Sequence, residues 1–192
     1  AGYSLELVQI ALDVAASVFY DKGVYTLKVG GVNQVITSAD MIAWYETLAT
    51  KHPIISIEDG LAEDDWVGFE LMNKTLGRKM QIVGDDLTVT NTGRIREAIR
   101  RQAINSVLIK PNQVGTLTET IEAIQMTKGA GWKPFVSHRS GETMDTFIAD
   151  LAVGCGCDYI KAGSLTGRER ISKYDRLLEI EHSLLNYKKI KL

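Results

Sequence analysis

Short apolar runs recur along this chain, and each ends in a charged or polar residue. Val8-Gln9-Ile10-Ala11 leads into Leu12-Asp13, Ile54-Ile55-Ser56-Ile57 into Glu58-Asp59, and Gln81-Ile82-Val83-Gly84 into Asp85-Asp86. Ser106-Val107-Leu108-Ile109 leads to Lys110, Pro134-Phe135-Val136-Ser137 to His138-Arg139-Ser140, and Asp158-Tyr159-Ile160 to Lys161. Runs this short and rich in Val and Ile read as parallel strands buried on both faces. After the first gap their spacing settles at roughly 25 residues, the length of one strand, one helix and two loops.

The intervening segments carry the helical period. Met41, Trp44, Tyr45 and Leu48 share one face of a helix whose N-cap is read as Ser38. Asp65-Trp66 opens a second, with Phe69, Met72 and Leu76 at core spacing and Gly77 at its end. A third spans Thr92 to Arg101, a fourth Thr116 to Lys128, a fifth Thr143 to Gly154 and a long last one Arg168 to Leu185. Alternation of this kind predicts βα units around a parallel sheet, about six of them. The fold class is α/β, a TIM-type (βα) barrel with about six of its eight units; a closed eight-stranded barrel typically takes ~250 residues, against 192 here.

Net charge is −2 and the pI near 6.0, so nothing marks a nucleic-acid or membrane surface. No apolar run approaches the roughly 20 residues of a membrane span. The opening Ala1-Gly2-Tyr3 has no signal-peptide pattern. Cys155 and Cys157 stand too close for an ordinary structural disulfide, so reduced thiols in a cytoplasmic protein are expected. Residues 1–192 read as one domain, or as part of one.

The strand ends carry the candidate chemistry. Asp13, Glu58 and Asp85 would converge at one end of the sheet and repel strongly unless a cation sat among them. Hard oxygen ligands in that number suit Mg²⁺. A single acid in such a place more often caps the next helix; three at matched positions favour the metal. Lys110 closes the most apolar strand, where a desolvated lysine suits general-base work, against the plainer reading of a chain that snorkels to solvent. Lys161, in the matching place on the last strand, suits an anionic group. Arg139 has the fork geometry for phosphate or carboxylate, with Ser140 and Gly141 beside it. His52 and His182 are read as structural or exposed, Trp44, Trp66 and Trp132 as packing residues, and Lys188, Lys189 and Lys191 as a solvated tail.

Several longer strings resemble the enolase family. They are Ser56-Ile57-Glu58-Asp59-Gly60, Gly84 to Asn91, Leu108 to Glu119, Val136 to Thr143 and Ile160 to Ser164, in the family's order and spread over almost the whole chain. The resemblance implies interconversion of 2-phosphoglycerate and phosphoenolpyruvate with Mg²⁺, in glycolysis and gluconeogenesis, by a homodimeric enzyme when intact. It implies Asp13, Glu58 and Asp85 as Mg²⁺ ligands, Lys110 as the base at C2, Arg139 and Ser140 on the phosphate, and Glu58, His138 and Lys161 as substrate contacts. A lysine or histidine base with Mg²⁺ is the general pattern of that superfamily. Gly60 resembles the bacterial branch. Val18 stands where the resemblance leads one to expect an acid.

In the family, the glutamates that assist departure of the hydroxyl, the N-terminal domain and a closing loop precede this region. The chain is therefore expected to be a C-terminal portion that by itself dehydrates 2-phosphoglycerate negligibly. Two alternatives stand beside this one. A sister enzyme would act on a carboxylate lacking phosphate. An incomplete enolase acting as a binding or surface-displayed protein would use Lys188, Lys189 and Lys191.

Overall fold

The computed structural model describes residues 2–190, the side chains of 187–190 excepted. Among the described residues, nine strands form two sheets. The larger contains β1 (Ile10–Asp13), β5 (Ile54–Glu58), β6 (Gln81–Gly84), β7 (Ser106–Ile109), β8 (Lys133–Ser137) and β9 (Tyr159–Lys161), in that order and parallel throughout. It is a curled, partial βα barrel of six strands. All six strands anticipated from the apolar runs are present; β1 starts at Ile10 rather than Val8.

The central runs are apolar because the helices cover one face and neighbouring strands flank them, whereas β1 is largely exposed and β9 half-buried. Ile57, Ile82, Val107, Ile109 and Val136 pack into one core with the helices outside the sheet. Those helices are α1 (Ser38–Lys51), α2 (Trp66–Leu76), α3 (Thr92–Arg101), α4 (Pro111–Val114), α5 (Leu117–Gly129), α6 (Phe147–Gly154) and α7 (Arg168–Ile190). Core members include Met41, Tyr45, Phe69, Met72, Ile95, Ala123 and Leu151. On the concave side, Ala11, Ser56, Val83, Phe135 and Tyr159 line a cavity of about 400 Å³ that reaches Asp13, Glu58 and Lys161 at the strands' C-terminal ends. β1 and β9 are the two edges, as anticipated, but the curl brings their C-terminal ends together: Lys161 Nζ lies 2.8 Å from Asp13 Oδ2.

Several details differ from the sequence reading. Residues Tyr20–Asp21 (β2), Val24–Val29 (β3) and Val32–Ile36 (β4) form a separate antiparallel sheet that the βα period does not announce. Its tight turn is Gly30-Gly31, with φ of 59° and 85°, the left-handed pair a two-residue hairpin requires. Tyr25 anchors it: fully buried, its hydroxyl donates to Asp65 Oδ2 at 2.9 Å and accepts from the Ala62 amide at 2.9 Å.

The N-cap of α1 is Thr37, in a capping box with Asp40, while Ser38 bonds Asp65 instead. Trp44 is 47% exposed; Ile42 takes the buried place beside Met41 and Tyr45. α6 begins at Phe147 rather than Thr143, because the preceding loop is tied to α7. Lys191 lies outside the described residues, as do the side chains of Lys188 and Lys189. Among the described residues, no helix is long and apolar enough to cross a membrane.

Cys155 and Cys157 are free thiols. Burial, and then the neighbouring Cys155, push the Cys157 thiol up to about 11. Below that value the unreactive neutral thiol dominates. Iodoacetamide labelling of Cys157, followed by mass spectrometry, should therefore climb about tenfold per pH unit from pH 8 to 10. A plateau by pH 9 would contradict this.

Candidate functional site

Parallel strands deliver their C-terminal residues to one rim. Asp13 and Glu58 are register partners at the ends of β1 and β5. Lys161, ending β9, touches both: Nζ is 2.8 Å from Asp13 and 2.8 and 2.9 Å from the two Glu58 oxygens. Asp85 follows β6, and its Oδ2 pairs with Nζ of Lys110, the residue after β7. Two pairings thus stand at adjoining strand ends, Lys161 with Asp13 and Glu58 and Lys110 with Asp85; among the described residues, Asp13, Glu58 and Asp85 are not a trio whose oxygens all lie within 4.8 Å of one another. Burial raises Glu58 to about 7, against the opposing pull of Lys161. Asp85 is raised by burial too, with Lys110 opposing. Burial lowers Lys161, but its hydrogen bonds and charges from Asp13 and Glu58 prevail and hold it above the ordinary lysine range.

A second acidic grouping was not anticipated. Asp59, Asp85 and Asp86 each bring one carboxylate oxygen within 4.8 Å of the others, an arrangement able to coordinate a divalent cation. Asp59 has another task as well: its oxygens accept the backbone amides of Asp85 at 2.9 Å and Asp86 at 2.8 Å. It therefore fixes the turn that aims Asp85. The doubled acids Glu58-Asp59 and Asp85-Asp86 were the only signal in the sequence. Asp85 Oδ1 is buried and, among the described residues, has no hydrogen-bond partner. An unmatched buried carboxylate oxygen costs free energy, and this one fits a hard cation ligated by oxygen.

The turn after β6 also supports Lys110. Val89 and Thr90 have φ of 44° and 55°, a costly region for β-branched residues. This conformation lets the Thr90 hydroxyl accept the Lys110 amide at 2.9 Å while donating to Gln113 Oε1 at 3.0 Å.

The His138-Arg139-Ser140 segment divides. His138 lines the same cavity as Asp13, Glu58 and Lys161; burial lowers its pKa, with the charges of Arg170 and Lys161 adding to the effect. Arg139 instead lines an adjoining recess of about 320 Å³ with Asn112 and Ser137, its Nη1 donating to Asn112 Oδ1 at 3.0 Å. Ser140 is exposed. Val18 is 86% exposed on the 3-10 turn Ala16–Phe19, and nothing in its surroundings explains that residue. A family model described as "Enolase, C-terminal TIM barrel domain" matches residues 1–191 of the chain.

Proposed function

Because the chain belongs to the enolase C-terminal TIM barrel family, we propose that it supplies the Mg²⁺- and substrate-binding face for interconversion of 2-phosphoglycerate and phosphoenolpyruvate. The observation that carries this reading is the placing of Asp13, Glu58 and Asp85 at strand ends beside Lys110 and Lys161, with Asp85 Oδ1, among the described residues, buried without a partner. Asp13, Glu58 and Asp85 would hold the cation, and Asp59 would keep Asp85 aimed. When bound, Mg²⁺ offsets the negative charge that builds on the substrate carboxylate as the C2 proton leaves.

The chain's own residues supply the rest. Lys110, once released from Asp85 and having given its own proton to solvent, takes the C2 proton as the neutral amine. Lys161, no longer tied to Asp13 and Glu58, faces an anionic group of the substrate. Arg139 and Ser140 meet the phosphate once the Arg139 fork turns from Asn112, and His138 hydrogen-bonds the substrate from the cavity wall. Proton removal and hydroxide departure are separate demands, and these residues account for the first. The domain alone is thus read as a binding and proton-abstracting face, in a cytoplasmic and, when intact, dimeric enzyme.

The test is exchange of the C2 proton of 2-phosphoglycerate in D₂O at saturating Mg²⁺, followed by NMR on the 192-residue chain. Mg²⁺-dependent exchange is expected, and Asp85→Asn should weaken Mg²⁺ binding by at least about tenfold, roughly 1.4 kcal/mol, by calorimetry. A chain that neither exchanges the proton nor binds 2-phosphoglycerate with Mg²⁺ overturns the proposal.

A further inference from the structure

The segment from His138 to Thr143 is held from outside the barrel by α7. Arg170, on the first turn of that helix, aims its guanidinium at this loop. Nη1 donates to the Arg139 carbonyl at 2.8 Å and contacts His138 Nδ1, while Nη2 donates to the Ser140 carbonyl at 2.8 Å. Space for this side chain is built in. Gly163 has φ of +89°, and a Cβ there would stand 2.7 Å from Arg170 Cδ. Lys173, one turn further along, is fully buried. Its Nζ lies 2.8 Å from Glu142 Oε2 and also bonds the carbonyls of Thr143 and Glu169. Glu142 in turn accepts the amides of Arg139 and Thr143, each at 3.2 Å. The loop's backbone is thus tied twice to one helix.

A guanidinium has only donors. A ring nitrogen against it must offer a lone pair, since an N–H there would set two donors head to head. His138 Nδ1 also lies 2.8 Å from the Arg139 carbonyl, to which it would otherwise donate. That oxygen has two lone pairs and could accept from both; it is the guanidinium, with donors only, that excludes a proton on Nδ1. A neutral imidazole with a bare Nδ1 carries its proton on Nε2.

We propose that Arg170 is a positioning residue that fixes neutral His138 as the Nε2–H tautomer, so that His138 offers a hydrogen-bond donor to an anion in the barrel-mouth cavity. Burial and the Arg170 charge disfavour the doubly protonated ring as well. The tautomer stands on this geometry alone; its use toward a phosphorylated carboxylate rests on the proposed function.

The experiment is ¹⁵N NMR of the ring nitrogens in the labelled chain at pH 8. The chain has three histidines, and the resonances lost in His138→Gln assign this one. A bare Nδ1 and a protonated Nε2 are expected. The reverse pattern overturns the proposal without reference to substrate, so the failure of one reading is distinct from the failure of the other. In Arg170→Met the two shifts should exchange positions, as Nδ1–H turns to the freed Arg139 carbonyl. Arg170→Lys, which retains a donor, should keep the parent pattern. An unchanged tautomer in Arg170→Met removes Arg170 as its cause. Should that variant not fold, the parent spectrum still decides the tautomer.

Discussion

Lys110→Ala should lower the rate of C2 proton exchange by at least about 10²–10⁴-fold, the usual contribution of a positioned general base. Mg²⁺ binding should survive. The amine has no role as a ligand, and its removal leaves Asp85 with neither oxygen partnered by a cation. Without Mg²⁺ the same substitution should also cost stability, because a buried carboxylate that loses its only ion-pair partner is penalised by about 3–5 kcal/mol. The two effects separate by measurement. Exchange is read by NMR in D₂O, and stability by urea unfolding with and without Mg²⁺. Added Mg²⁺ should return most of the stability and none of the exchange. Exchange near the parent rate would remove Lys110 as the base.

Lys161→Met should also destabilise the fold. One ammonium serves both Asp13 and Glu58 and joins the two edge strands of the open barrel. Its loss leaves two carboxylates facing each other, one of them buried, at an expected cost of about 3 kcal/mol in urea unfolding. The pH dependence has a definite sign. Burial already raises Glu58 to about 7, and Lys161 is the principal influence opposing that rise. Without it, Glu58 folds in its protonated form. A carboxyl whose folded pKa lies above its unfolded value loses stability as pH climbs between the two. The variant should therefore be weaker at pH 8 than at pH 5, and Mg²⁺ should restore part of the loss at the higher pH. An unchanged midpoint at both pH values would refute the bridging role.

The six parallel strands were legible because short apolar runs recur at a regular interval and each stops at a charged or polar residue on the rim. The small antiparallel sheet was not. Val29, Val32 and Val35 are more than half exposed, so its strands have no dominant buried stripe, and Gly30-Gly31 was the one plain sign of it. Asp13, Glu58, Asp85, Lys110 and Lys161 were legible by position, since a strand end dictates which rim a side chain reaches. Their partners were not. Lys161 meets Asp13 across 148 residues of sequence, which only curvature of the sheet can bring about. Asp59 grips backbone amides rather than side chains, a use no motif records. Arg170 and Lys173 lie on the outermost helix, among other charged residues that point to water, and nothing in their spacing separates them from that surface.

The lysine pairing at the rim has a consequence for how ligands of opposite sign influence one another. In the unloaded domain, Lys110 and Lys161 offset only part of the charge of Asp13, Glu58, Asp59, Asp85 and Asp86, so the mouth favours a cation and repels an anion. A divalent cation that takes the carboxylates releases the lysines from them and removes most of that repulsion. An anion is then drawn in more strongly than before. By linkage, the anion must tighten the cation by the same factor. The domain should hold the divalent cation and the anionic substrate together better than either alone, with a coupling that fades as ionic strength rises.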